Sequence, residues 1–129
     1  MTIRIGVLAA GFALGCLTVP AVAHHSWTAE YDANKPVTVK GVVTKVEWTN
    51  PHTHFYIDSK GSDGTVTTWN FEMASTLALE RAGWTRKTLQ VGDEVTIGGF
   101  GGKAVTTRAV AGSITTADGR ALFVGKPGQ

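Results

Sequence analysis

The chain has 129 residues and is nearly neutral, with 12 Lys and Arg against 10 Asp and Glu and a formal net charge of +2. Both signs are scattered along it without a basic block, so we expect no nucleic acid partner. The chain has one cysteine, which excludes an internal disulfide framework.

The first 23 residues have the pattern of a secretory leader. Arg4 supplies the positive start, residues 5–19 are apolar or small, and Ala21-Val22-Ala23 is an A-x-A cleavage signal. The apolar run of about 15 residues is shorter than the ~20 that a membrane-spanning helix needs. We therefore expect cleavage after Ala23 and a periplasmic product that begins at His24, without a membrane span.

A lipoprotein signal is the weaker alternative for the same segment. Ala13-Leu14-Gly15-Cys16 distantly resembles a lipidation motif in which Cys16 becomes the anchored first residue. The leucine expected three residues before the cysteine is replaced by Ala13. Cleavage after Ala23 instead removes the cysteine, which excludes a thiolate nucleophile and a Cys-based zinc site.

Removal of 23 residues leaves 106, enough for one domain with a modest core. Residues 24–34 lack a sustained period and are expected to form an N-terminal arm that ends in an Asp32-Ala33-Asn34 turn. Residues 35–125 carry the strand patterns of a single β domain, and residues 126–129 are expected to be a loose tail.

The first predicted strand is long and bent. Val37 and Val39 alternate with polar residues, Gly41 interrupts, and Val42, Val46 and Trp48 resume the alternation in the opposite phase. A glycine at a phase change predicts a bulge.

Residues 54–59 and 66–72 flank a turn-rich stretch and predict a hairpin. Phe55 opposite Phe71 and Ile57 opposite Trp69 would place four apolar side chains on one face. The other face would then carry His54, Tyr56, Asp58, Thr68, Asn70 and Glu72, with His54 across from Glu72.

The second half of the chain supplies one helix and the remaining strands. Ser75 is a capping residue for a helix over 76–82, with Leu77 toward the core, Gly83 as its stop and Trp84 closing the core. Further elements are a turn followed by a strand within 89–97, a flexible glycine loop over 98–102, and strands over 108–116 and 120–124 around an Asp118-Gly119 turn.

This order predicts an all-β fold with one short helix, an OB-fold-like, partly open barrel of five to six strands. A half-open sheet with a helix on one face is the alternative. Phe55, Trp69, Phe71 and Trp84 are expected mainly to fill the barrel.

The segment between the first two strands is the best candidate site. Asn50-Pro51 breaks the strand pattern, since proline donates no ladder hydrogen bond and favours extended geometry in the residue before it. In OB-folds, ligands bind on the face of strands two and three and at the adjoining loop. The candidate ligand-binding residues are Trp48, Asn50, His52, His54, Tyr56 and Glu72.

The four histidines form two pairs that predict a metal site, and the candidate ligands are His24, His25, His52 and His54. A mature His24 would combine an α-amine with an imidazole, and a third nitrogen from His52 or His54 would suit Cu(II). Zinc held by two or three histidines with Glu72 is also reasonable chemistry. The alternative is that all four have structural or surface roles, since no H-x-x-H or H-E-x-x-H motif occurs.

The sequence also resembles a family of small exported bacterial proteins of unknown function. The resemblance lies in the segments His24-His25-Ser26-Trp27, Tyr31 to Pro36, Val42 to His52, Ala82-Gly83-Trp84 and Val91 to Val95. It implies an OB-like β-barrel in the periplasm and supplies no catalytic residue.

Three functions remain open at this point. The first is a non-catalytic periplasmic binding or accessory module, whose partner is a small ligand, a metal or another periplasmic protein. The second is copper or zinc binding through His24 with His52 or His54. The third is a hydrolase that uses Asp58 or Glu72 with a histidine, which would require a cleft that brings them within hydrogen-bond reach.

Overall fold

The computed structural model describes residues 27–122 and 124. The leader, Cys16, His24, His25 and the tail after residue 124 lie outside the described residues. The elements are α1 (Trp27–Glu30), β1 (Tyr31–Glu47), β2 (His54–Lys60), β3 (Val66–Glu72), α2 (Thr76–Arg81), β4 (Glu94–Gly102), β5 (Arg108–Thr116) and β6 (Ala121–Leu122).

The strands form one six-stranded sheet in the order β3-β2-β1-β4-β5-β6. A short parallel pairing between β3 and β5 joins the two sides, so that β1 to β5 make a closed ring, here called the β-ring. The long β1 pairs with both β2 and β4, and α2 lies between β3 and β4. This topology confirms the predicted OB-like fold, with α1 as a second short helix.

The hairpin register follows from its apolar alternation and is confirmed. Phe55 pairs with Phe71, Ile57 with Trp69, and His54 with Glu72. Phe55, Ile57 and Phe71 are fully buried in the core, where Trp84 also packs, and Trp69 is partly buried against them. The intervening side chains of β2 and β3 therefore lie on the outer side of the β-ring.

The bulge in β1 lies later than the sequence predicted. Gly41 pairs regularly with Val95, and the register shift falls between Val43 and Lys45. Val43 is fully buried while Val42 is exposed, so the phase changes after Val43. Gly41 is instead a point of close approach, because a Cβ there would lie 2.3 Å from the Asp58 carbonyl oxygen.

β1 begins at Tyr31, before the Asp32-Ala33-Asn34 segment. The Asn34 N–H donates to the Asp32 carboxylate at 2.9 Å, as in an Asx turn. The β1–β4 register is irregular between Tyr31 and Pro36. The predicted turn is thus an interruption within a strand that continues on both sides.

The predicted capping residue and stop of α2 are confirmed, but the residue predicted to face the core is wrong. The Ala78 N–H donates to Ser75 Oγ, and Gly83 adopts a φ of 91° just after the helix. Leu79 is fully buried, whereas Leu77 is 53% exposed. A six-residue helix has room for one core contact, and here Leu79 makes it.

The predicted glycine loop over 98–102 is part of β4. A Cβ at Gly99 would lie 2.0 Å from the Val110 carbonyl oxygen, and one at Gly102 would lie 2.6 Å from the Val105 carbonyl oxygen. These glycines are needed because neighbouring backbone comes too close for a side chain. β4 therefore extends over Glu94–Gly102, and the predicted turn before it lies at residues 90–93, where the Asp93 N–H donates to the Gln90 carbonyl at 3.1 Å.

Among residues 27–122 and 124, no helix is both long enough and apolar enough to cross a membrane.

Candidate binding site on the outer face of β2 and β3

Polar side chains occupy the outer side of the β2–β3 hairpin. We call this surface the binding face; it comprises His54, Tyr56, Asn70 and Glu72 with the loops over 48–53 and 103–107. Pairing places His54 beside Glu72 and Tyr56 beside Asn70, while β5 places Arg108 beside Asn70. The face is therefore continuous across three strands.

A buried carboxylate lies at one end of the binding face. Glu72 is only 8% exposed, and its Oε2 accepts a hydrogen bond from Arg108 Nη2 at 2.9 Å and a short one from the Tyr31 hydroxyl. Arg108 Nε also donates to the Tyr31 oxygen at 3.0 Å. The other oxygen, Oε1, lies 3.5 Å from His52 Nδ1. Arg108 compensates the charge of Glu72, which would otherwise be costly to bury.

Tyr31 is itself fully buried, and its hydroxyl faces a carboxylate. Burial, reinforced by the hydrogen bond and charge of Glu72, raises the pKa of Tyr31 far above its usual range, although Arg108 acts in the opposite direction. Tyr31 is therefore a permanent hydrogen-bond donor to Glu72 at neutral pH.

The same cluster holds the segment that enters β1. Arg108 Nη2 lies 3.4 Å from Glu30 Oε2, and the Lys103 N–H donates to the Glu30 carbonyl at 2.9 Å. Trp27 stacks on Phe100 with ring centroids 5.6 Å apart. Residues 27–31 thus lie beside Arg108 and Glu72 at the edge of the binding face.

A second network runs across the middle of the binding face. Lys45 lies 2.5 Å from Glu47, and the Tyr56 hydroxyl donates to Glu47 at 3.3 Å. Asn70 Nδ2 donates to the Tyr56 oxygen at 3.4 Å, and His54 Nδ1 lies 2.9 Å from Asn70 Oδ1. The hydrogen bond from Lys45 lowers the pKa of Glu47, whose carboxyl is therefore ionised at neutral pH.

Both histidines use Nδ1 to contact an oxygen. His52 Nδ1 lies 3.2 Å from the Met73 carbonyl oxygen. A carbonyl oxygen only accepts hydrogen bonds, so the ring nitrogen is the donor in this contact. Within the described part of the chain, neither Nε2 has a hydrogen-bond partner. His52 and His54 are both partly buried, and both lie beside Glu72, since His54 is paired with it in the sheet and His52 Nδ1 lies 3.5 Å from its Oε1.

Two other predicted site residues have structural contacts. Asn50 Oδ1 accepts from the Thr76 hydroxyl at 2.9 Å and from the Thr76 N–H at 3.3 Å, and so ties the loop to α2. Trp48 is partly buried against the core cluster. The peptide bond between Asn50 and Pro51 is cis.

The described residues hold only half of the predicted metal site. His24 and His25 lie outside them, and in 27–122 with 124 no group of three or more His, Cys, Asp or Glu side chains is arranged to hold a metal ion. His52 and His54 are a pair of imidazoles, and Glu72 is already engaged by Arg108 and Tyr31.

Sequence reasoning missed Tyr31 and Arg108. Both are distant from Glu72 in sequence: Arg108 reaches it through the β3–β5 closure, and Tyr31 lies at the start of β1, where it pairs with Gly102 of β4. One signal was available: in an OB-like strand order the last long strand, here β5, returns beside β3. That order would place the start of the predicted strand over 108–116 near Asn70 and Glu72. The register of that pairing has no signal in the sequence.

The fold and this face define a small OB-like β-ring domain with a polar outer surface. The chain belongs to the family of unknown function DUF6152, whose model matches residues 13–111. No curated protein matches the sequence.

A comparison with solved structures found a mitochondrial single-stranded DNA-binding protein, Rim1, from S. cerevisiae. The two chains are 15% identical with a TM-score of 0.48, over 70% of this chain and 96% of that chain. The expectation from charge that nucleic acid is excluded as a partner is therefore corrected, since a protein of similar shape binds single-stranded DNA. With so low a sequence identity and TM-score, the likeness does not identify a ligand for this chain.

Proposed function

We propose that this protein is an exported, non-catalytic binding module that holds a ligand or a partner group on the binding face. The observation that supports the proposal is the meeting of two polar networks there, one ending at His54 and one at His52. Their junction is the His54–Glu72 pair, flanked by the loop over 48–53. Such a surface offers hydrogen-bond acceptors at fixed positions without further ordering on binding.

The contacts of the carboxylates favour binding over hydrolysis. Glu72 is neutralised by Arg108, and Asp58 accepts from the Thr68 hydroxyl at 2.6 Å. His52 Nδ1 is closer to the Met73 carbonyl, at 3.2 Å, than to Glu72, at 3.5 Å. The predicted hydrolase needs a carboxylate that is free to act with a histidine, and both candidate carboxylates are already engaged by other groups.

Native mass spectrometry of protein isolated from the periplasm tests this proposal. We expect a bound species on the wild type that is lost from the double variant His54→Ala/Tyr56→Ala. The matched control is Lys40→Ala/Glu94→Ala, which removes an exposed ion pair of 2.9 Å elsewhere on the β-ring. A wild type without a bound species, or equal loss from the control, would contradict the proposal.

Copper or zinc binding is the second candidate. The observation that favours it is a series of contacts from the end of the N-terminal segment to His52. Arg108 Nη2 lies 3.4 Å from Glu30 Oε2 and donates to Glu72 Oε2 at 2.9 Å, and Glu72 Oε1 lies 3.5 Å from His52 Nδ1.

In this candidate the α-amine and ring of His24, with His25 beside them, bind the metal together with His52 or His54. The test is copper titration of protein with a native His24 start. We expect weaker affinity in His24→Ala and in His52→Ala/His54→Ala, while Lys40→Ala keeps the wild-type value. Unchanged affinity in both histidine variants would exclude the candidate.

A further inference from the structure

The second network has a direction that follows from its first member. Glu47 is held as a carboxylate by Lys45, and a carboxylate only accepts hydrogen bonds. The Tyr56 hydroxyl therefore gives its single proton to Glu47. Its oxygen is left as an acceptor toward Asn70.

This direction fixes the amide of Asn70. Since the Tyr56 oxygen accepts, the Asn70 NH₂ group must lie on that side, at 3.4 Å. The amide oxygen is then turned toward His54, 2.9 Å from Nδ1. An amide oxygen cannot donate, so the hydrogen of that contact belongs to the imidazole.

We infer that Asn70 is a positioning residue: in the uncharged imidazole of His54 it keeps the proton on Nδ1 and so leaves the Nε2 lone pair for a ligand. The inference rests on the proposed site and names the chemistry of its ligand. The binding face takes an electron-pair acceptor, either a transition-metal ion or an N–H or O–H group of an organic ligand.

The same tautomer, with the proton on Nδ1, is favoured in His52 by different acceptors. Its Nδ1 faces the Met73 carbonyl oxygen and Glu72 Oε1, both of which are acceptors. His52 Nδ1 lies 3.5 Å from Glu72 Oε1, and His54 is paired with Glu72 in the sheet. Two imidazoles beside the same carboxylate suit a single bound ion or a ligand with two donors.

Imidazole ¹H–¹⁵N correlation spectra test the inference, because they distinguish a protonated ring nitrogen from an unprotonated one. They are recorded at a pH where the histidine rings are uncharged. We expect wild-type His54 to carry its proton on Nδ1. Asn70→Leu removes the acceptor, so His54 should shift toward the Nε2–H form, while His52 keeps its Nδ1 proton. An Nε2–H form in the wild type, or no change in Asn70→Leu, would overturn the inference.

Two further variants separate positioning from simple packing. Tyr56→Phe leaves the binding face in place and removes the group that orients the amide, so it should also shift His54 toward the Nε2–H form. Adding Asn70→Asp to Tyr56→Phe should restore the Nδ1–H form, since a carboxylate accepts in either orientation. Failure of that rescue would contradict the role of Asn70 as the hydrogen-bond acceptor for His54 Nδ1. Thr68→Val, on the same strand, is the control that should leave the spectrum unchanged.

Zinc titration with the same variants distinguishes the two ligand sources. If a metal ion is the ligand, Asn70→Leu should weaken Zn²⁺ binding about 10- to 100-fold, as loss of a metal ligand's hydrogen-bond partner does elsewhere. If the wild type binds neither Zn²⁺ nor Cu²⁺ while its His54 spectrum is as expected, the metal candidate fails and the organic ligand is supported. The spectrum alone decides the role of Asn70.

Discussion

Single residues at the junction of the loop over 48–53 and β2 combine structural and ligand-facing roles. Thr53 is bracketed by hydrogen bonds, its N–H donating to the Ala74 carbonyl at 3.1 Å and its carbonyl accepting from Met73 at 2.8 Å. These bonds hold the residue after His52 against the Met73–Ala74 backbone, where the His52 ring reaches the Met73 carbonyl oxygen. The backbone of a fully buried residue thereby sets the position of a partly exposed imidazole.

The Thr53 hydroxyl is fully buried and has no hydrogen-bond partner among the described residues. Thr53→Val replaces it with a methyl group of the same shape and should raise the free energy of unfolding by about 1 kcal/mol. Urea denaturation measures this as a higher midpoint with an unchanged m-value. Thr53→Ala, which leaves a cavity, should not stabilise; a destabilised Thr53→Val would show that the hydroxyl has a partner.

Tyr31 makes stability depend on alkaline pH. Its pKa is raised in the folded state, whereas in the unfolded chain the phenol ionises near its usual value of about 10. The contribution of Tyr31 is therefore complete below about pH 10 and is lost as the pH rises from there toward the folded pKa. Tyr31→Phe should be less stable at pH 8, by about 1–3 kcal/mol, because it removes one of the hydrogen bonds that the buried Glu72 accepts and leaves Arg108 Nε without its acceptor.

Urea unfolding at pH 8 and again between pH 10 and 11 checks the sign. Across that interval the wild type should lose more stability than Tyr31→Phe, so the difference between them narrows. A difference that is constant or that grows with pH would contradict a raised pKa for this phenol.

At the level of single residues, the sequence predicted the pairs that local alternation controls. His54 opposite Glu72 follows from the apolar spacing of the hairpin, because a shift by one residue would turn Phe55 and Phe71 outward. Arg108 was not predictable in this way. Its approach to Glu72 depends on how far β5 slides along β3, which is set by packing of the entire ring.

Among the elements, β4 shows most clearly how a local pattern can mislead. Five residues containing four glycines favour a loop, since glycine has low strand propensity. Here β4 is paired on both sides, and the glycines allow β5 and the 103–108 backbone to approach. Such close approach is a property of the assembled sheet, so the strand could not be predicted from composition.

Two glycine variants test this account of β4. Gly99→Ala would place a methyl group 2.0 Å from the Val110 carbonyl oxygen and should destabilise the protein by about 3 kcal/mol or more. Gly112→Ala, in the neighbouring β5, meets nothing closer than 3.7 Å and should be neutral or stabilising by up to about 1 kcal/mol. Thermal and urea unfolding measure both; equal effects would contradict the role of close approach.

In the whole molecule, the closure of the β-ring and the binding face share one ion pair. The β3–β5 pairing involves only three residue pairs, and Arg108 and Glu72 lie within it. Tyr31 and Glu30 join the same pair to the end of the N-terminal segment. Ring closure, attachment of that segment and the position of His52 are therefore coupled through Glu72.

Removing only Arg108 from the Arg108–Glu72 pair should lower the free energy of unfolding more than removing both residues. Arg108→Met leaves Glu72 buried and unpaired, at a cost of about 2–4 kcal/mol, which allows for the partly exposed guanidinium. In Arg108→Met/Glu72→Met the uncompensated charge is gone, so part of that stability should return. A double-mutant cycle by urea unfolding measures the coupling, and additive losses would show that the pair is not coupled.

Amide hydrogen exchange of the protein with and without its co-purified ligand tests the position of the binding face most directly. Exchange should slow in residues 48–56, 70–72 and 103–108, and should be unaltered around Lys40 and Glu94 on the distant part of the ring. Slowing confined to the Lys40 and Glu94 region, with the loop over 48–53 unchanged, would contradict the proposed site.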